Sequence, residues 1–251
     1  MTATIPSTSS ANAPASSTDY KLLRVALWSV CIYVALGLVG FAVCAGFWPP
    51  PGEYLDAAGI YTYFHDHASG IKIGMMLMVF AAPWYYTWSI AVSKVISRLE
   101  GPMGPLAMTE LLGGLMTALV TAVPAVAWLT AVLRIGNRSA ESVQVLYDFG
   151  WLFFDMTYVF SALQSVALGV AILRDHRDQP LIPRWVAYVA FLTAIVYVPL
   201  SIMPFVRTGP FAWQGLLNFW AVFVMFFMLI AVVTPYANRA IHRLEREALG
   251  G

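Results

Sequence analysis

Apolar residues gather into six long runs along this chain, at roughly 23–47, 71–96, 106–133, 150–173, 185–206 and 213–236. Each is near the length of ~20 residues that a helix needs to cross a hydrocarbon core. The pattern predicts an all-α fold: a polytopic transmembrane helical bundle of six spans, with residues 21–238 as the membrane domain. Residues 1–20 are rich in Ser, Thr, Ala and Pro and lack an apolar face, so they read as a disordered cytoplasmic tail. Residues 239–251 read as a C-terminal cytoplasmic tail, a mixed-charge helix ending in glycines.

Some connections are more than turns. "WPPPG" at 48–52 stops the first helix, because consecutive prolines cannot continue it. "EYLDAAGIYTYFHDH" then fits a short helix lying in the interface. Residues 139–149 fit another short segment, whose serine start and acidic first turn suit a helix N-terminus. Prolines 199 and 204 in the fifth run and 124 in the third mark places where a helix can break. "GLVGFAVCAG" carries Gly37, Gly40 and Gly46, a packing signal for the first span. The two halves of the chain, three spans each, show no visible sequence repeat.

Composition agrees with the runs. The chain is 60% hydrophobic and 11% charged, against about 45–50% and about 25% in soluble domains. A net charge of +1 gives no reason to expect nucleic acid. The distribution of charge carries more. Lys21, Arg24, Lys94, Arg98, Arg174, Arg177, Arg184, Arg239, Arg243 and Arg246 all fall on one side of an alternating topology. The other side receives Lys72, Arg134, Arg138 and Arg207 together with most of the loop acids. Lys and Arg mark the cytoplasmic side, so both termini are expected inside. Cys31 and Cys44, thirteen residues apart on one helix, lie about 20 Å apart along its axis and do not pair.

Ionisable residues inside a span are costly and raise a functional hypothesis. Two stand out: Asp155 in "GWLFFDMTYVF" and Glu110 in "LAMTELLGG". Asp148, Asp155, Tyr158, Ala162, Ser165 and Gly169 share a helical face of small and polar residues, the kind of face that packs against other helices. Glu110 leads a similar stripe through Gly114, Thr117, Thr121 and Pro124. The topology places Asp155 in the outer third of its span and Glu110 near the cytoplasmic end. Two arrangements fit. In one, Asp155, Lys72, Arg207, Gln214, Asn218 and Tyr158 form an outward-facing polar pocket, roofed by His65, Asp66 and His67. In the other, Asp155 pairs with Arg207 or Lys72 to fix helix register.

The His65–Asp66–His67 stretch is the one candidate for metal. On a helix the two imidazoles point about 200° apart and cannot share an ion, and no further ligand has a diagnostic spacing. The stretch therefore reads as a polar cap, and no metal or other cofactor is expected. No P-loop, GxSxG, HExxH or CxxC occurs.

The layouts "D-x-G-W-L-x-F", "P-R-W-V-x-Y" and "T-G-P-F-A-W" resemble a group of uncharacterised bacterial, mainly actinobacterial, six-span membrane proteins, over most of residues 70–236. The group has no established activity, so the resemblance implies a bacterial inner (plasma) membrane location and no site residues. The expected function is binding or moving an apolar or amphiphilic small molecule, or service as an accessory membrane subunit. The alternative is a membrane enzyme using Asp155 or Glu110 as acid or base on a lipid-like or isoprenoid substrate. The expected partners are the bilayer, an apolar small molecule, and further copies of the chain or a larger membrane complex.

Overall fold

A computed structural model describes residues 17–102 and 104–250. Among these there is no strand, and six helices are long and apolar enough to cross a membrane. They are α1 (Ser17–Cys44), α3 (Ala68–Glu100), α4 (Pro105–Val132), α5 (Ala140–Leu173), α6 (Arg184–Phe205) and α7 (Leu216–Leu249). The short α2 (Ala57–Asp66) lies between α1 and α3. The tail expected at 1–20 lies outside the described residues up to position 16, and Ser17–Tyr20 form the first turn of α1. Residues 239–249 continue α7 as one helix.

Local chemistry sets the boundaries. The carboxylate of Asp56 accepts from the Gly59 amide at 2.9 Å and starts α2. The Ser139 hydroxyl accepts from the Ser142 amide at 3.3 Å and starts α5, which then runs unbroken into the apolar stretch as far as a break at Thr157. The 139–149 segment is therefore the outer end of α5 and not a separate element. Its polar residues are ordinary helix formers, and the helix simply leaves the apolar zone.

The bundle is held by close backbone approaches and by contacts at the end where α1 starts and α7 finishes. A Cβ on Gly40 would sit 2.5 Å from the carbonyl oxygen of Gly74, and one on Gly74 would sit 2.2 Å from that of Gly40. α1 and α3 thus touch backbone to backbone, as small-residue interfaces in membranes allow. At one end Arg24 of α1 pairs with Glu245 of α7, Arg177 donates to the Arg98 carbonyl at 3.3 Å, and Arg243 donates to the Gln179 carbonyl at 2.6 Å. The start of α1 and the end of α7 therefore lie at the same end, the end rich in Lys and Arg. Ser17–Trp28 of α1 packs on both α3 and α7, while the remainder of α1 packs on α3. Cys31 and Cys44 are both free thiols.

Candidate functional site

Four of the six spans depart from regular α geometry, three in the half away from the start of α1 and the end of α7 and one at mid-helix. α1 closes in a π turn at Val39–Cys44, and α5 breaks at Thr157. α6 tightens to 3-10 over Val198–Phe205, where Pro199 and Pro204 sit, and α7 opens with a π turn at Leu216–Ala221. Non-α backbone at membrane depth is tolerated where it is buried or lines a cavity, and π turns recur at functional sites.

A cavity of about 90 Å³ lies at this level, and all six spans supply a wall. Gly37 and Phe41 come from α1, Met78 from α3, and Thr117 and Thr121 from α4. Asp155, Tyr158 and Ser161 come from α5, Tyr197 from α6, and Phe223 and Phe226 from α7. Asp155 is the one charged side chain in the wall. It is only 3% exposed, its Oδ2 has no hydrogen-bond partner, and it belongs to none of the ion pairs among the described residues. Asp155 is the sixteenth residue of the 34 in α5 and the sixth of the apolar run that begins at 150.

Inward of the cavity the polar stripes of α4 and α5 zip together. The Tyr33 and Thr121 hydroxyls lie 3.1 Å apart, and those of Thr117 and Ser161 2.7 Å apart. The Thr117 hydroxyl also reaches Gln164 Oε1 at 3.3 Å. Gln164 Nε2 donates to Glu110 Oε1 at 3.0 Å, and Ser89 Oγ donates to the same oxygen at 2.9 Å. Glu110 is 1% exposed, and its Oε2 has no partner. The two intramembrane carboxylates do not touch; four polar side chains of α4 and α5 stand between them.

Outward of the cavity lies a plug of buried aromatics. Phe47, Trp128, Tyr147, Trp151 and Trp213 pack as one cluster, with Trp151 stacked on Trp213 at 5.8 Å. Two loops close over it. The Pro51 carbonyl accepts from Tyr147 Oη at 2.6 Å and from Trp213 Nε1 at 2.9 Å. Glu53 accepts from the Trp213 amide at 3.3 Å, and the Glu53 amide donates to Gln214 Oε1 at 3.4 Å. Burial in this contact pushes the Glu53 carboxyl up to about 7; the Trp213 amide and Arg207 oppose the rise and Asp148 adds to it. The roof is thus the "PPGE" and "AWQG" loops.

The expected pocket set therefore divides. Asp155 and Tyr158 line the cavity, and the Tyr158 hydroxyl meets Ser201 Oγ at 2.6 Å on the exposed rim between α5 and α6. Lys72 and Arg207 are exposed and do not reach it. Gln214 belongs to the roof. Asn218 is buried against the Phe211 carbonyl at the outer end of α7. His65, Asp66 and His67 are exposed at the junction of α2 and α3. There His67 Nδ1 lies 2.9 Å from the Tyr63 carbonyl oxygen and His65 Nδ1 lies 3.3 Å from Asp66 Oδ1. No three His, Cys, Asp or Glu residues converge on a metal position among the described residues. Sequence reasoning missed Tyr33, Tyr197 and Glu53. The two tyrosines sit among apolar neighbours with no periodic signal, and Glu53 acts across 160 residues.

No protein family, curated protein or solved structure matches the chain. Its helices identify it at the level of architecture, as an all-α, multi-pass membrane protein with six spanning helices.

Proposed function

We propose that the cavity between the six spans binds an apolar or amphiphilic small molecule, with Asp155 as its polar anchor and Tyr158 at the rim. The observation that carries this reading is the unpartnered, buried carboxylate of Asp155 facing an aromatic cavity, at the depth where the spans depart from regular α geometry. A packed core has little use for such a group, since burying an unpaired polar atom is unfavourable. We place the protein in a bacterial inner membrane with both termini cytoplasmic. The Lys and Arg bias of the termini-bearing end and the resemblance described above support that location.

The test fills the cavity. Gly37 lines it, and a Cβ built there meets nothing within 4 Å, so Gly37→Leu occupies the space without displacing a helix. Solvent extracts of the purified wild type and variant are compared by mass spectrometry. A small molecule carried by the wild type and lost in the variant supports binding. Identical extracts, together with stoichiometric co-purification of a larger membrane partner, overturn it in favour of an accessory subunit.

A further inference from the structure

We infer that the cavity's occupant is an organic cation, a compact ammonium group on an apolar body, held by the Asp155 carboxylate and the aromatic walls around it. This rests on the reading of the cavity as a ligand site and adds the charge of the ligand.

Charge balance is the first argument. Asp155 faces the cavity, and no Lys, Arg or His contributes to the wall. A carboxyl group in a low-dielectric interior is held protonated unless a counter-charge lies close by, and a cation beside it stabilises the charged form. The protein supplies none there, so a cationic ligand would complete the pair.

The wall itself is the second argument. Eight of its nineteen side chains are Phe or Tyr, among them Tyr33, Phe154, Tyr197, Phe223 and Phe226. Aromatic faces attract cations, and desolvated sites gain most from it. A carboxylate with several aromatic faces and a volume of about 90 Å³ suits a compact alkylammonium head.

Hydrogen-bond donors give the third argument, because five of the six wall hydroxyls, all but that of Tyr197, are already engaged. The Thr117 hydroxyl donates to the Gly113 carbonyl at 2.9 Å, and the Thr121 hydroxyl donates to the Thr117 carbonyl at 3.4 Å. This leaves Ser161 to donate to Thr117, and Tyr33 to donate to Thr121. Tyr158 is paired with Ser201. A carboxylate or phosphate ligand would meet the Asp155 carboxylate with these five hydroxyls committed and the Tyr197 hydroxyl as the one uncommitted donor in the wall.

The experiment uses two probes of the same shape: benzyltrimethylammonium and its uncharged carbon counterpart, neopentylbenzene. Binding to the full-length protein in lipid nanodiscs is followed by saturation-transfer NMR and by the rise in melting temperature that a native-state ligand produces. The wild type is expected to bind the ammonium saturably. Asp155→Asn is expected to weaken it about tenfold or more and to leave neopentylbenzene unaffected. Asp155→Glu keeps the charge and is expected to retain ammonium binding, so it serves as the companion variant if the Asn form melts early. Neopentylbenzene binding as tightly as the ammonium, or an ammonium affinity unchanged in Asp155→Asn, overturns the cation while leaving a ligand cavity in place. Failure of the wild type to bind the ammonium also overturns it. The underlying reading fails separately, through identical extracts from the wild type and Gly37→Leu.

Discussion

Substituting Gly114 by Ala tests the α3–α4 seam where Glu110 is held. A Cβ at Gly114 would lie 2.0 Å from Ser89 Oγ and 2.3 Å from Ser89 Cβ. Carbon atoms settle at about 3.5–4.0 Å, so the overlap exceeds 1 Å. Rotating Ser89 does not relieve it, because the Cβ atoms themselves collide; α3 and α4 must move apart. Overpacking of this kind costs about 1–3 kcal/mol. Separation also breaks the Ser89 bond to Glu110 Oε1, a bond to a carboxylate worth about 1.5–3 kcal/mol. Ala gains about 0.8–1 kcal/mol over Gly in a helix interior. The net expectation is a loss of about 1.5–5 kcal/mol. Unfolding in mixed detergent micelles, followed by tryptophan fluorescence, measures it. Gly37→Ala is the control: its Cβ meets nothing, so propensity alone acts and stability stays equal or rises by up to about 1 kcal/mol. If Gly114→Ala proves as stable as Gly37→Ala, the close approach of α3 and α4 at Glu110 is wrong.

Three further outcomes follow from the site. Glu53 has its carboxyl raised from 4.5 to about 7, so its contribution to the roof is complete below the unfolded value and is lost as pH rises through about 7. Hydrogen–deuterium exchange of residues 48–56 should therefore quicken across that range in the wild type and stay flat in Glu53→Gln. A quickening that persists in the Gln variant assigns the effect elsewhere. Tyr147→Phe and Trp213→Phe each leave the Pro51 carbonyl one donor; the first costs about 1 kcal/mol or less, and the second costs more because it also opens a void beside Trp151. The double variant strands that carbonyl and should cost more than the sum, so additive losses would refute the shared acceptor. Glu110→Gln keeps the shape and removes the charge, and should melt at or above the wild-type temperature. Glu110→Leu strands Ser89 Oγ and Gln164 Nε2 and should melt lower by about 1–3 kcal/mol for each stranded donor; equal melting of the two variants would argue against the network.

What the sequence made legible is what the local chain decides. The six spans follow from the apolar runs, and the starts of α2 and α5 from Asp56 and Ser139, whose side chains cap amides three residues on. The inward direction of Asp155 and Glu110 follows from their stripes of small and polar neighbours, because helical period fixes a face. Depth and mutual rotation are not local. Lys72, Arg207, Gln214 and Asn218 sit toward the same end of the bundle as Asp155, and the sequence offers no measure of the aromatic plug that separates that end from the cavity. The face itself also shifted: Ser161 lines the cavity and Ala162, expected on that stripe, does not. Prolines 199 and 204 announced the 3-10 stretch of α6, whereas the π turns in α1 and α7 carry no proline and left no mark. The roof joins loops some 160 residues apart through hydrogen bonds, a pairing no single segment encodes.

The Arg24–Glu245 pair spans 221 positions. While a ribosome delivers the first five spans, the start of α1 has been inserted and its partner has not yet been made. The Arg24–Glu245 clasp between the start of α1 and the end of α7 thus forms only once Glu245 has emerged. That order has a consequence for biogenesis. The sixth wall of the chamber is missing from the nascent chain until Val222–Phe227 have emerged, so an occupant is enclosed on all sides only after that, and a chain cut short of Glu245 lacks the Arg24 clasp.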